Sequence, residues 1–265
     1  AGRPDVKAEL VDARPWALAA QIAERFREGR CFLVGDAAHL MPPTGAFGGN
    51  SGIHDAHNLA WKLAPVMQGE ARSQLLDSYD QERRPVIAAT LAQALARLQA
   101  WFRDPAGRLP TPPPIVADYD VIFGQRYDAG AILHDGAPPD APFVPFATLS
   151  GQPGTRAPHH QIEHQGKALS MLDLFGRDFV LLSRDPAWHE AAEAIQSEGS
   201  LPLTSWGLGA EDWLGGYGIS RQGAVLVRPD GFVAWRTPEP ADDRKAMLLS
   251  ALDRIGLRAE AGGEV

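Results

Sequence analysis

The chain reads as an α/β protein in two parts, and three observations predict this. Short apolar runs suited to strands alternate with helical periodicities along its 265 residues. A proline-rich stretch at 104–114, DPAGRLPTPPP, interrupts that pattern after two long helical segments. A strand–helix alternation then resumes near residue 151 and closes on a hairpin and a helix.

Taken in order, residues 5–12 (DVKAELVD) alternate in polarity and predict a strand. Residues 17–27 predict a helix with Leu18, Ile22 and Phe26 on one stripe, stopped at Gly29. Cys31–Val34 predicts a buried strand, with Cys31 a small buried hydrophobe. Ile53, Ala56, Ala60, Leu63 and Met67 recur at helical spacing and mark the expected buried face of a helix from about Asn50 to Met67. A further helix starts at Leu75–Tyr79. Pro85 is expected to break or restart it before Ile87, Leu91, Ala94, Leu98 and Trp101 carry it to about Phe102.

Beyond the linker, short strands are expected at Ile115–Val116 and Tyr119–Phe123, and Gly151–Gly154 (GQPG) is a turn. Leu169–Leu174, Phe179–Leu182 and Leu201–Thr204 read as extended, 186–197 as helix, and 207–218 as a Gly-rich loop. Ala224–Val227 and Phe232–Trp235 form a hairpin whose Asp230-Gly231 supplies the turn, and 241–256 is a final helix.

Composition narrows the function classes. Hydrophobic content of 45% and charged content of 22% are those of an ordinary globular protein. A net charge of −8 argues against nucleic acid or an anionic membrane surface as partner. No apolar run reaches the roughly 18 residues of a membrane span, and one cysteine allows no disulfide framework, which suits a reducing cytoplasm. His54 and His57 stand i, i+3, but no carboxylate or thiolate set completes a metal site, so hydrogen-bonding roles are expected. The 158–164 cluster (PHHQIEH) reads as a solvated loop, and Ser170, Ser183 and Ser205 lack the surroundings of a nucleophile elbow.

The chemistry concentrates in residues 32–62, FLVGDAAHLMPPTGAFGGNSGIHDAHNLAWK. Asp36 stands where an apolar run stops. Pro42, Pro43, Gly45, Gly48 and Gly49 describe a stiff loop that lets a planar ligand approach the backbone, and Asn50 and Ser51 suit a helix start. Free N–H groups at a helix mouth beside a carboxylate suit a ligand with a polyol and an electron-rich ring. The stretch closely resembles the second flavin-binding motif of the para-hydroxybenzoate hydroxylase-like (class A) flavoprotein monooxygenases. The match continues through Asp55, Asn58–Leu63, Tyr79-Asp80 and Glu82–Pro85. The resemblance implies that Asp36 hydrogen-bonds the ribityl chain of FAD, that Pro43 and Gly45 line the isoalloxazine, and that Gly48, Gly49 and Asn50 meet its pyrimidine edge.

Phe123–Tyr127 (FGQRY) resembles a strand bordering the aromatic pocket in polyketide-type members, the tetracenomycin and anthracycline hydroxylases. Tyr217-Gly218-Ile219 and Gly223–Trp235 resemble their thioredoxin-like domain, here without Cys-X-X-Cys. The implied division is 1–30, the end of a substrate-binding domain; 31–103, part of the FAD-binding domain; 104–150, a linker and pocket border; and 151–265, a thioredoxin-like domain.

The implied activity is FAD- and NAD(P)H-dependent hydroxylation of a polycyclic phenol through a flavin C4a-hydroperoxide; simple phenols and antibiotics are alternative substrates. The family's GxGxxG unit is not found, and Gly207–Gly218 neither follows a strong strand nor opens a helix. The expectation is therefore a carboxyl-terminal fragment whose partners are a small aromatic substrate and either the amino-terminal half or a second copy. A non-catalytic piece whose thioredoxin-like domain mediates association is the alternative.

Overall fold

Two long helices organise the first part of the chain. The computed structural model describes residues 7, 9–15, 17–102, 111–136, 141–164, 166–198, 201–208 and 212–257. Helix α1, Phe47–Gln68, begins ahead of the expected Asn50 and ends at left-handed Gly69, whose N–H bonds the Pro65 and Val66 carbonyls. A 3-10 turn at Ser73–Leu76 leads into α2, Asp77–Phe102. Pro85 does not break α2. Tyr79, Glu82, Arg83, Val86 and Ile87 are all buried around it, and that packing outweighs the lost backbone bond.

The expected apolar face of α1 is not the buried one. Ile53 and Met67 are 67% and 82% exposed, and Ala56 and Ala60 are exposed too. Ser51, Asp55, Asn58 and Lys62 are buried in their place, at i, i+4, i+7 and i+11. Hydrophobic periodicity names a face correctly only where the buried groups are apolar; here polar and charged groups bonded to α2 share the buried face with Phe47, Leu59, Trp61 and Pro65.

Residues 17–27 are not helical. Strand β1, Gln21–Ile22, pairs antiparallel with β4, His39–Leu40, and β2, Arg27–Glu28, pairs with β3, Cys31–Phe32, across Gly29. Phe26 explains the switch: it is fully buried beside Tyr79, and its N–H donates to Asp80 Oδ1 at 2.7 Å. Contacts to α2 and the following strand thus override helical spacing, and Leu18 is left 47% exposed. Cys31 is exposed, because the buried strand expected at Cys31–Val34 is a two-residue edge ladder. Residues 9–12 carry no strand, and the rest of that expectation (5, 6 and 8), like Trp16, lies outside the described residues save exposed Lys7. So does most of the linker.

Tyr119–Phe123 is not a strand but part of α3, Asp118–Phe123, whose first turn carries Asp118 and Asp120 where the helix dipole favours them. Ile115–Val116 is irregular, and Phe123–Tyr127 runs off the helix into a single bridge, Gln125 to Phe143.

In the carboxyl-terminal part, β5 (Gln161–His164) and β6 (Lys167–Ser170) form an antiparallel hairpin, so the histidine cluster is partly strand rather than loop. A 3-10 turn replaces the extended 171–174 expected from sequence. Strand β7 (Phe179–Ser183), α4 (Pro186–Glu198), β8 (Leu203–Gly207), α5 (Asp212–Tyr217), β9 (Ala224–Val227), β10 (Val233–Thr237) and α6 (Arg244–Ile255) follow. The helix α5 occupies what was expected to be Gly-rich loop; Trp213 and Tyr217 bury there and pay for its glycines. The sheet order is β10-β9-β7-β8, with β8 parallel to β7 and β9 antiparallel to both neighbours. Strand β7 is buried on both faces. Phe179 and Leu181 pack toward Trp188, Ile195, Leu248 and Leu252, while Val180 and Leu182 pack toward Met171, Trp213 and Tyr217. Trp61 of α1 joins the first cluster, edge-on to Phe179 at 5.3 Å.

Candidate functional site

The six residues singled out for cofactor binding lie on two 3-10 turns and the first turn of α1. Asp36 sits in a 3-10 turn, Gly35–Ala37, entered from extended Val34. It is exposed, and its carboxylate pairs with no described residue. This turn packs backbone to backbone on α1: a Cβ on Gly52 would stand 3.3 Å from the Gly35 Cα. The Gly35 N–H also donates to Asp55 Oδ2 at 3.2 Å, so the helix holds the turn by contact and by hydrogen bond.

Exposed Pro43 caps a second 3-10 turn, Thr44–Ala46. Gly45 and Ala46 take φ of 74° and 55°, and the left-handed bend costs the alanine about 1–2 kcal/mol. That bend sets the α1 N-terminus at Phe47. Ala46 offers no side-chain cap, so the first-turn N–H groups, those of Gly48 and Gly49 among them, have no Ser- or Asp-type acceptor. A Cβ on Gly49 would meet nothing within 4 Å, so the backbone there is open to a ligand. Asn50 is inside the helix rather than at its start, and its Nδ2 donates to the Ala46 carbonyl at 2.9 Å, clamping the bend. Such a segment can accept from hydroxyls at Asp36 and donate to an electron-rich edge at the helix mouth.

Behind it lies a buried ionic network that periodicity did not single out. Asp55 accepts from His39 Nε2 at 2.7 Å and from Arg83 Nε at 2.8 Å, all fully buried. Burial alone would raise the Asp55 carboxyl, but His39 and Arg83 outweigh it and hold it low. Arg83 also reaches Gln125 Oε1 at 2.9 Å and the Tyr127 hydroxyl at 3.2 Å, tying α2 to the segment after α3. His54 lies between Gln125 Oε1 and the Arg156 guanidinium, each at 3.1 Å. Burial, then the neighbouring Arg156 and Arg83, push its pKa down to about 4, so the ring is neutral and its Nε2 accepts from Arg156.

Glu82 is the second hub. Its carboxylate accepts from Asn58 at 2.6 Å, Lys62 at 2.8 Å, Arg228 through two nitrogens at 2.9 Å each, and the Ala131 N–H at 2.9 Å. Burial opposes ionisation, yet Arg228 and Lys62 hold Glu82 down at about 2. Lys62, desolvated, falls to about 8. Arg228 is shared with Asp230 of the hairpin turn and lies over the Trp61 and Tyr127 rings at 4.9 and 5.3 Å. The RPDG turn thus closes the hairpin and also bolts it to α1 and α2. The legible signal was a polar stripe, Ser51, Asp55, Asn58 and Lys62, at helical spacing opposite the apolar one. Among the described residues no His, Cys, Asp and Glu group could hold a metal ion.

Known proteins share both parts. Residues 1–94 match the family described as "FAD binding domain", and residues 150–257 the family "Aromatic-ring hydroxylase, C-terminal". The 4-methyl-5-nitrocatechol 5-monooxygenase of a Burkholderia species is 43% identical over 96% of this chain and 48% of its own length. Aklavinone 12-hydroxylase of Streptomyces purpurascens is 42% identical over 95% of this chain and 48% of its own. The crystal structure of aklavinone-11 hydroxylase with FAD and aklavinone superposes with a TM-score of 0.88 at 41% identity, covering 96% of this chain and 49% of that one. The chain spans about half the length of the curated relatives it matches. It belongs, by its first 94 residues, to the FAD-binding domain family and, by residues 150–257, to the aromatic-ring hydroxylase C-terminal family.

Proposed function

We propose that this chain forms the ribityl- and pyrimidine-side wall of the FAD site in an NAD(P)H-dependent aromatic monooxygenase. The single observation that carries the reading is the unpaired Asp36 carboxylate held, through Gly35 and Gly52, against a helix whose N-terminus is open and uncapped at Gly48–Gly49. Asp36 accepts hydrogen bonds from ribityl hydroxyls. The N–H groups of Gly48 and Gly49 donate to the pyrimidine edge, and the positive end of the α1 dipole favours negative charge there by about 1 kcal/mol. Pro43 and Gly45 shape the wall against the ring, while Asn50 fixes the bend that aims the helix. Bound FAD supplies hydride acceptance from NAD(P)H and activation of O₂ for insertion of one oxygen atom into an electron-rich ring.

The substrate proposed is a polycyclic phenol of the aromatic polyketide type. The structural likeness to an aklavinone-bound hydroxylase favours it, although the nitrocatechol enzyme is equally similar in sequence. The carboxyl-terminal part is proposed to be thioredoxin-like, on its 4-3-1-2 strand order with one antiparallel strand, and to serve packing or association rather than thiol exchange. The GxGxxG-bearing unit, in the same or another chain, supplies the pyrophosphate and adenosine contacts. A cytoplasmic location is proposed on the single cysteine alone; no helix among the described residues is long and apolar enough to cross a membrane.

Titrating the chain with FAD and following flavin fluorescence tests this. Saturable quenching, weakened about tenfold or more by Asp36→Ala, is expected; equal binding by the variant would remove Asp36 from the site.

A further inference from the structure

A cleft of about 690 Å³ opens between α3 and the carboxyl-terminal part, walled by Phe123, Phe146, Leu172 and Phe175. It reaches α1 at His57, nine residues beyond Gly48 and so about 14 Å along the helix from the flavin-facing mouth. Its volume lies within the usual range of small-molecule pockets. Three of its wall residues, Phe123, Phe146 and Leu172, are 36%, 46% and 47% exposed, an apolar lining left open to solvent.

Arg156 also lines this cleft. Setting histidines aside, the buried network behind it contains Lys62, Arg83, Arg228 and Arg156 as cations, and Asp55, Glu82 and Asp230 as anions. Lys62 and Arg228 are met by Glu82, Arg228 again by Asp230, and Arg83 by Asp55. Arg156 alone of the four pairs with no carboxylate among the described residues. It donates to neutral His54, it lies over the Phe123 and Phe232 rings at 5.9 and 5.2 Å, and its buried Nε has no hydrogen-bond partner. Asp230 also borders the cleft, but both its oxygens are taken by Arg228. The cluster is one anion short, and the surplus charge sits at the edge of an aromatic-walled cleft.

We propose that this cleft is a second small-molecule site, separate from the flavin-facing segment, that binds a planar aromatic carboxylate or phenolate with its anion on Arg156 and its ring among Phe123, Phe146 and Phe175. A partly buried cation beside ring faces recognises such a ligand by a charge-assisted hydrogen bond and by stacking. Because the site stands apart from Asp36 and Gly48–Gly49, its occupancy does not depend on flavin.

Calorimetric titration of the whole chain with 2-naphthoate, and with neutral 2-naphthamide of the same shape, tests the assignment. Saturable naphthoate binding is expected, at least tenfold tighter than the amide and unchanged by saturating FAD. Arg156→Gln should lose about tenfold or more for naphthoate and little for the amide. Half-exposed Phe146→Asp, which puts a competing carboxylate at the cleft without disturbing the core, should lose naphthoate binding while far-ultraviolet circular dichroism stays unchanged. Equal affinity for acid and amide, full binding by either variant, displacement by FAD, or no saturation at millimolar ligand would each overturn the site.

Discussion

Between α1 and α2 the interior carries a buried ionic network beside a small apolar cluster of Leu59, Tyr79 and Ile87, whereas under the four-stranded sheet it is aliphatic and aromatic. Glu82, with five donors around it, and Leu181, between two apolar layers, are both completely buried, yet they hold their surroundings in different ways. Burying Leu181 is favourable in itself and asks only for shape. Burying Glu82 is costly in itself, so its place depends on every partner being present. The first kind of core tolerates exchange of one apolar residue for another; the second is an all-or-none assembly that fixes how the hairpin turn meets the two helices.

The sharpest way to break this comparison is truncation at each hub. Glu82→Ala leaves Lys62 and Arg228 buried without their shared acceptor and is expected to destabilise by about 3–5 kcal/mol. Leu181→Ala should cost about 2–5 kcal/mol as a cavity. The two separate on second-site change: adding Lys62→Met, Arg228→Met and Asp230→Asn to a Glu82→Leu chain, so that no charge of the cluster is left unpaired, should recover much of the loss, and no polar substitution should do so at 181. Urea unfolding of the parent chain and these variants checks this, and a quadruple variant no more stable than Glu82→Ala would remove the distinction.

Acid separates the two cores next. His54, held at about 4 against an ordinary 6.5, is neutral in the folded chain, so between those values the unfolded chain binds the extra proton and stability falls as pH drops. The slope should approach about 1.4 kcal/mol per pH unit. Glu82, at about 2 against 4.5, contributes stability that is present above pH 4.5 and lost as pH falls toward 2. His54→Gln should flatten the upper window and leave the lower one. Unfolding free energy measured from pH 7 to 3 reads both, and an unchanged slope above pH 4.5 in the variant would remove His54 as its source.

The smallest expected effect falls on the outer face of α1. Ile53→Gln should change stability by less than about 0.5 kcal/mol, because that side chain is 67% exposed. A loss of 2 kcal/mol or more would show that the apolar stripe is covered in solution.

The same division explains what could be read from sequence. Strand β7, helices α4 and α6, and the β9–β10 hairpin follow apolar patterns most of whose partners lie within the same unit, Trp61 of α1 apart, and they stand where the sequence put them, within a few residues. Helices α1 and α2 were legible as helices, but the buried face of α1 was not, because Asp55, Asn58 and Lys62 read as solvent-facing until Glu82 and Arg83 are placed opposite them. Residues 17–27 and α3 failed for a related reason: Phe26 and Asp118 are positioned by Asp80 and Arg97, distant in sequence, and no local window contains those partners. In the candidate site, Asp36, Pro43, Gly45, Gly48 and Gly49 were visible as residue types, but the left-handed bend at Ala46 that starts the helix early carries no sequence signal, since alanine rarely adopts it.

The Glu82–Arg228 pair joins positions 146 residues apart. A contact that distant closes one of the longest loops in the chain, so its chain entropy must be lost before its hydrogen bonds form. The helix pair and the sheet are therefore expected to assemble before the ionic clamp that joins them. Weakening the clamp should then speed unfolding while leaving the folding rate nearly unchanged.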